Sequence, residues 1–363
     1  MKAAIPPDIR KGIGGESLGI EVTTRCNNAC TYCFVRAGAT RSSDLPIEEV
    51  LGIIAEGYRL GYRNLHISGG EPFLWDGLKV VVDHASRCGY QTILINTNGI
   101  LLTPEASRDL AQYGTVWVSV SLQGPEAFHR RVRGPNHYAL IRDHIAAALE
   151  AGLAVSLYTT VFKSLLPLIP AFARDVFAAY PGLHCLAFIQ LIRVPGDRDG
   201  LSRELMDPEA FLTLVQMAAL LQLYGLKVDV LNNPLVGVVA QVLGLPWKPW
   251  SHPLSAPGGI MIRSSGDITS SHSDQRSFGC YRAGCLQDVL ASPLYAAAVR
   301  ADNKICPDCR LVDSCRANGM RRPSESYRNN SGSNKPFCQR VLARACRIMD
   351  HGVDSETAYA LGL

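Results

Sequence analysis

Arg25-Cys26-Asn27-Asn28-Ala29-Cys30-Thr31-Tyr32-Cys33 places three thiols in a C-x3-C-x2-C array. The array directly follows an apolar run, residues 18–22, that reads as a β-strand. Cysteine thiolates are the usual ligands of iron–sulfur clusters. Three of them leave one iron of a [4Fe–4S] cube without a protein ligand, open to a small chelating molecule. Two plainer readings stand beside this one: a structural zinc site, which needs a fourth ligand that no nearby residue clearly supplies, and three buried thiols acting as small hydrophobes.

Outward from the array, short apolar runs alternate with helical patterns. Strands are expected at residues 18–22, 64–67, 92–95, 116–122, 154–161 and 185–191. Helices are expected at 46–60, 78–87, 104–112, 138–151 and 166–179. Such alternation implies an α/β fold with a parallel sheet covered by helices. The run Val116-Trp117-Val118-Ser119-Val120 reads as apolar on both faces, as a buried parallel strand requires. Six units are too few to close an eight-fold barrel, so a partial (β/α)6 barrel is expected over residues 18–195, after a loose segment at 1–17. Residues 196–258 read as a helical connection with a long amphipathic helix at 208–224. Residues 259–363 read as a small cysteine-rich domain.

Composition narrows the class. The 363 residues are 47% hydrophobic and 19% charged, as in a globular chain. A net charge of +4 with no Lys/Arg run gives no footprint for nucleic acid or an anionic membrane. No run of about 20 apolar residues is present to span a bilayer, and residues 1–11 lack the apolar core of a signal peptide. A cytoplasmic location is expected, where twelve cysteines argue for metal or redox chemistry over disulfides.

Further motifs fall at successive strand ends. Ser68-Gly69-Gly70-Glu71-Pro72 ends the second strand, Asn96-Thr97-Asn98-Gly99 ends the third, and Ser119 and Ser121 lie on the fourth. His129-Arg130-Arg131-Val132-Arg133-Gly134 follows. Taken singly, each has a bland reading: a glycine turn, a satisfied hydroxyl, a solvated arginine patch. Together with the cysteine spacing and the aromatic Tyr32 before the last thiol, they resemble the radical S-adenosylmethionine (SAM) superfamily. That resemblance implies a [4Fe–4S] cluster on Cys26, Cys30 and Cys33, with SAM chelating the open iron. It implies SAM contacts from Tyr32, Ser68, Gly69, Gly70, Glu71, Asn96, Asn98, Ser119, Ser121 and Arg133. Gly69 and Gly70 would let the backbone approach the SAM amino group, Glu71 would support its charge, and Arg133 would bind its carboxylate. Gln123 stands where relatives commonly carry Asp.

Cys306, Cys309, Cys315 and Cys338 form a second array, C-x2-C-x5-C…C. It resembles the SPASM domain of peptide- and cofactor-modifying radical SAM enzymes, with Gly319 where a further cysteine belongs and Ser271 in place of the cysteine of the G-x4-C element. These losses imply one auxiliary [4Fe–4S] cluster and a vacated inner site. Four thiolates also suit a zinc ribbon. Cys280 and Cys285, with His272, are alternative inner ligands or ordinary thiols; Cys88, Cys185 and Cys346 read as core residues.

The resemblance implies an enzyme that reductively cleaves SAM to a 5′-deoxyadenosyl radical and abstracts a substrate hydrogen, drawing electrons from an external flavodoxin- or ferredoxin-like donor. The expected substrate is a ribosomal peptide or a protein side chain. The alternatives are a small molecule such as a sugar, nucleoside or tetrapyrrole, and, remotely, a zinc-binding scaffold without catalysis. No acid or base residue is assigned; Tyr158, His137 and Asp197 are unassigned polar candidates.

Overall fold

The structure, a computed structural model, describes residues 17–33, 35–38, 43–134, 137–192, 201–231, 233, 235–246, 259–272, 276–299 and 337–350. The strands in chain order are β1 (Ser17–Glu21), β2 (Asn64–Ser68), β3 (Thr92–Thr97), β4 (Val116–Ser121), β5 (Ala154–Val161), β6 (Cys185–Gln190), β7 (Val228–Leu231), β8 (Ile260–Ile262) and β9 (Ile268–Thr269). The helices are α1 (Ile47–Arg59), α2 (Leu78–Cys88), α3 (Pro104–Ala111), α4 (Glu126–Arg133), α5 (Tyr138–Glu150), α6 (Ile169–Ala179), α7 (Pro208–Leu223), α8 (Leu235–Val242), α9 (Leu286–Ala291), α10 (Pro293–Val299) and α11 (Phe337–Asp350). The expected α/β alternation is present through β6, and the fold is α/β with a parallel sheet.

The chain divides into two compact units. The first holds residues 1–158, 180–185 and 256–300. In it β1 to β5 pair in parallel in sequence order, with Ser17 opposite Asn64, Asn64 opposite Thr92, Ile93 opposite Val116 and Trp117 opposite Ala154. On the far side of β1 lies β8, also parallel, and β9 returns antiparallel to it. Helix ends follow local chemistry. Thr103 caps α3 by accepting from Ala106 N at 3.2 Å with Pro104 in the first turn, and α2 stops at Gly89 in the left-handed conformation.

Strand register separates two faces. Leu18, Ile20, Leu65, Ile67, Ile93, Ile95, Val118, Val120, Val155 and Leu157 fall on one, all essentially inaccessible. The other carries Glu21, His66, Ser68, Asn96, Ser119, Ser121, Ser156 and Tyr158. This corrects the expectation that strands such as β4 are apolar on both faces. Val116, Val118 and Val120 make one side of β4; Trp117, Ser119 and Ser121 make the other. A polar face inside a sheet is costly unless its groups are paired or meet a ligand.

Glu56 on α1 is 5% exposed and anchors the segment after β9. Its Oε2 accepts from Tyr281 Oη at 2.9 Å and Gly284 N at 3.0 Å, and its Oε1 from Leu286 N at 2.8 Å. The second unit holds residues 159–179, 186–255 and 301–363. In it β6 and β7 pair in parallel, Leu186 opposite Val228. Asp207 caps α7. Phe337 on α11 meets Phe211 on α7 edge-on, ring centres 5.7 Å apart, and Arg344 pairs with Glu209 at 3.0 Å. Helix α7 is buried over Phe211, Leu212, Leu214, Val215, Ala218, Ala219 and Leu221.

Replacing Glu56 with Ala leaves three donors without their acceptor and is expected to cost about 3 kcal/mol. Hydrogen exchange at the Gly284 and Leu286 amides will accelerate with it, while the amides of β3 and β4 keep their protection.

Candidate functional site

The three-cysteine loop leaves the C-terminal end of β1 and is fastened by its backbone. Gly70 N donates to Thr23 O at 2.7 Å and Glu71 N to Arg25 O at 2.8 Å, so the Gly69-Gly70-Glu71 turn lies along residues 23–25. Gly69 has φ 145°, and a Cβ on Gly70 would meet Arg25 O at 2.1 Å. Glycine is required there because backbone lies against backbone. On the outer side Asp44 accepts from Thr23 Oγ1 and pairs with Arg25 at 2.7 Å.

Glu71 is fully buried. Its Oε1 accepts from Thr97 Oγ1 at 2.8 Å and Phe73 N at 3.2 Å, and its Oε2 from Asn98 N at 2.7 Å. Burial raises its pKa, and these donors oppose the rise. The carboxylate therefore ties the end of β2 to the end of β3. Asn98 carries the link onward: its Nδ2 donates to Asn27 Oδ1 at 2.6 Å and lies 3.9 Å from Cys26 Sγ, while its Oδ1 accepts from Ile100 N at 2.9 Å.

Tyr32 and Arg133 make the opposite fastening. Arg133 Nη1 donates to Tyr32 Oη at 2.9 Å, and Thr31 N donates to Val132 O at 2.9 Å. Residues 126–133, for which no helix was expected, form α4, and its helical turn resolves the arginine patch. Arg130 and Arg131 are exposed, whereas Arg133 is 5% exposed and its Nε has no hydrogen-bond partner. Ser119 Oγ donates to Asn96 Oδ1. Gln123 N donates to His129 Nδ1 at 3.2 Å and Gln123 Nε2 to Tyr158 O at 3.2 Å.

The structure thus brings together the loop, the β2 and β3 turns and the end of α4. Ser68, Asn96, Ser119 and Ser121 share the polar face behind them. Cys26 is 8% exposed, and Cys30 and Cys33 are half-buried; all three are free thiols. Burial pushes the Cys26 thiol up to about 11, opposed by the Asn28 backbone N–H. Burial also raises Cys33, against the N–H groups of Ala37, Val35 and Arg36. A turn that aims successive N–H groups at one sulfur suits a thiolate, and metal binding expels the thiol proton.

Among the described residues no three His, Cys, Asp or Glu side chains converge on a point where a single ion could sit. A [4Fe–4S] cluster binds each of its cysteines through a different iron, whereas mononuclear zinc needs four ligands on one point. The donor set and the orphaned Arg133 Nε fit a [4Fe–4S] cluster with a carboxylate-bearing ligand beside it. Cys306, Cys309 and Cys315 lie outside the described residues, as does Asp197; Cys338 is half-buried on α11. Cys280 is exposed, Cys285 precedes α9, and both ring nitrogens of His272 are engaged by Glu21 and His66. Sequence reading missed Asn27 and Thr97, whose value lies in contacts across about 70 and 26 positions that no local pattern encodes.

Glu71→Ala is expected to destabilise the protein by about 3 kcal/mol, through three buried donors left unmet. Gly70→Ala will push the loop away from Arg25. With matched expression, its iron content after anaerobic reconstitution should fall well below that of the unaltered protein.

Residues 20–167 match the family model of the Radical SAM superfamily. GTP 3′,8-cyclase of Petrotoga mobilis is 32% identical over 155 residues, 41% of this chain and 47% of that protein. PqqA peptide cyclase of Streptomyces rochei is 34% identical over 143 residues, 38% of each chain. This chain spans less than half the length of either relative. The solved structure of native anSMEcpe with bound AdoMet and the Cp18Cys peptide superposes with a TM-score of 0.68 at 14% identity, covering 92% of this chain and 99% of that one. The α/β fold matches the radical SAM partial barrel, and residues 20–167 carry the similarity to the Radical SAM superfamily.

Proposed function

We propose that this protein is a radical SAM enzyme that modifies a ribosomal peptide or a protein side chain, with Cys26, Cys30 and Cys33 holding the SAM-binding [4Fe–4S] cluster. The observation that carries the reading is the three-thiol loop, pinned to the ends of β2 and β3 through Asn98 and Glu71 and to α4 through Tyr32 and Arg133. Held by Cys26, Cys30 and Cys33, a [4Fe–4S] cluster would supply the electron for reductive cleavage of SAM and, through it, the means of removing a hydrogen atom from the substrate.

The chain's own residues do the rest. Asn98 and Asn27 fix the Cys26 side of the loop, and Tyr32 holds the Arg133 guanidinium by one nitrogen, leaving Nε to meet a carboxylate. Gly69 and Gly70 keep side chains away from the strand end, where an amino acid backbone would lie. Glu71 acts as a positioning residue, its carboxylate being spent on Thr97, Asn98 and Phe73. Ser68, Asn96, Ser119 and Ser121 offer hydroxyl and amide partners for the sugar and methionyl groups of SAM. Beyond them, buried Ser156 Oγ and Tyr158 Oη lack hydrogen-bond partners on the same face, which suits a polar substrate there.

Similarity to a peptide cyclase and likeness to a structure holding a peptide favour the peptide substrate. Similarity to a GTP cyclase keeps a nucleotide or other small molecule as the second reading. Cys306, Cys309, Cys315 and Cys338 are proposed to bind one auxiliary cluster, which with no open iron would pass electrons between substrate and an external flavodoxin- or ferredoxin-like donor. Cytoplasmic location belongs to the same proposal; among the described residues no helix is long and apolar enough to cross a membrane.

Anaerobic reconstitution should give about eight irons per chain, and about four in Cys26→Ala, which will form no 5′-deoxyadenosine from SAM and dithionite. Equal 5′-deoxyadenosine from both proteins would refute the assignment. Arg133→Gln is expected to weaken SAM binding roughly 10- to 100-fold, the loss of a charged hydrogen bond, as read by equilibrium dialysis.

A further inference from the structure

Helix α4 has two faces, and the site described above uses only the inner one. It runs Glu126-Ala127-Phe128-His129-Arg130-Arg131-Val132-Arg133, of which Phe128, His129, Val132 and Arg133 are buried. Ala127, Arg130, Arg131 and Gly134 stand three, four and seven positions apart, so they share the outward face, and all four are exposed. They line a shallow, open hollow of about 370 Å³. Ala127 and Gly134 contribute no bulk to it, and two arginines stand between them. The Arg131 guanidinium lies 4.4 Å from the centre of the Phe128 ring, which fixes one of the two charges in place.

The last turn of this helix touches the thiol loop. Thr31 N and Thr31 Oγ1 both donate to Val132 O, at 2.9 and 3.2 Å, and Thr31 stands between Cys30 and Cys33 in the chain. Arg36, three residues after Cys33, is exposed on the loop itself. Glu126, at the other end, is the one acid of the helix. Positive charge therefore gathers on both elements that hold the thiols. Arginines in the last turn of a helix also suit its dipole, which is the plainer account of their placement.

We propose that the outer face of α4, centred on Arg130 and Arg131, is the docking surface for an acidic one-electron carrier protein. The inference rests on the proposed radical SAM reading, which requires an electron from outside the chain. Complementary charge raises the rate of encounter more than lasting affinity, as a carrier that must leave after each electron requires. Redox encounters bury less than about 1,200 Å² in total. A patch on a helix about 12 Å long suits such a transient partner and is small for a permanent subunit or a second copy. A carrier seated there is separated from the thiol loop by the width of one helix. In the step one electron passes from the reduced carrier to the oxidised cluster. The carrier is left one electron more oxidised, the cluster one electron more reduced, and no bond forms or breaks.

Binding is measured by calorimetry on the anaerobically reconstituted full chain, with two oxidised acidic probes, a flavodoxin and a ferredoxin. At least one probe should bind, and more weakly as salt rises, because exposed charges are screened. Arg130→Glu/Arg131→Glu should weaken that binding by about 10-fold and flatten its salt dependence. The control, Arg59→Glu/Arg87→Glu, makes the same change of charge at exposed arginines in the last turns of α1 and α2. It should leave binding within about twofold of the unaltered protein. With the bound probe and its reductase as electron source, 5′-deoxyadenosine formation in the α4 variant should slow in step with binding. With dithionite, which needs no docking, the three proteins should match.

Unchanged binding in the α4 variant, an equal loss in the control, or no binding of either probe would overturn the docking surface. A folded α4 variant that is also slow with dithionite would overturn it too, giving the face to SAM or the substrate. If the double variant does not fold, Arg130→Gln and Arg131→Gln are read singly by the same calorimetry, and unchanged binding in both overturns the proposal. An unaltered protein that makes no 5′-deoxyadenosine with dithionite would instead refute the radical SAM reading, so the two ideas fail apart.

Discussion

The buried carboxylate of Glu71 is the constraint on which the rest of the site depends. It stands at the end of β2, takes two backbone N–H groups and one hydroxyl, and so holds the β3 turn at a fixed distance from the Gly69-Gly70 backbone. Those glycines lie against residues 23–25, which start the cysteine loop. A buried carboxylate is costly unless fully hydrogen-bonded, and here the cost is offset by donors drawn from two separate turns. Register across β1, β2 and β3 is thereby carried to the three thiols. Arg133 and Tyr32 then fix the other side of the loop from α4. Nothing in this arrangement is a single strong bond; its precision comes from each anchor being closed on both sides.

The split of the sheet into two faces explains how one fold supplies both stability and chemistry. Leu, Ile and Val on one side pack against helices and give the cohesion. The opposite side spends some of it on Glu21, His66, Asn96, Ser119, Ser156 and Tyr158. Several of these satisfy one another, while His66 Nε2, Ser156 Oγ, Tyr158 Oη and Arg133 Nε do not. Unmet buried groups of this kind are rare in folded proteins and gather where a ligand completes them. On the proposed reading, the strand-end loop would hold a cofactor and the polar face a substrate beside it.

Much of this was legible in the sequence because it is local. The C-x3-C-x2-C spacing, the glycines of Ser68-Gly69-Gly70-Glu71-Pro72 and the alternation of strand and helix each sit within one element. Period and punctuation located eleven of the strands and helices through β6 to within a few residues. Helix α4 was missed because Glu126 to Arg133 is mostly charged, and only Phe128, His129, Val132 and Arg133 turn inward. The two-faced character of β4 was missed because Trp117 masks the alternation that Ser119 and Ser121 continue. Strand β8 is three residues long and gains its place from pairing with β1, some 240 positions earlier. The contact of His272 with Glu21 and His66 is invisible for the same reason: each is an isolated polar residue until the sheet registers them.

The central claim is that the Cys26, Cys30 and Cys33 loop presents a cluster with one iron left for SAM. Electron paramagnetic resonance of the dithionite-reduced protein, recorded with and without SAM, tests it most directly. The account predicts that one component of the spectrum shifts when SAM is added, and that this component is missing from Cys30→Ala. A reduced-cluster spectrum that SAM leaves unchanged would contradict it.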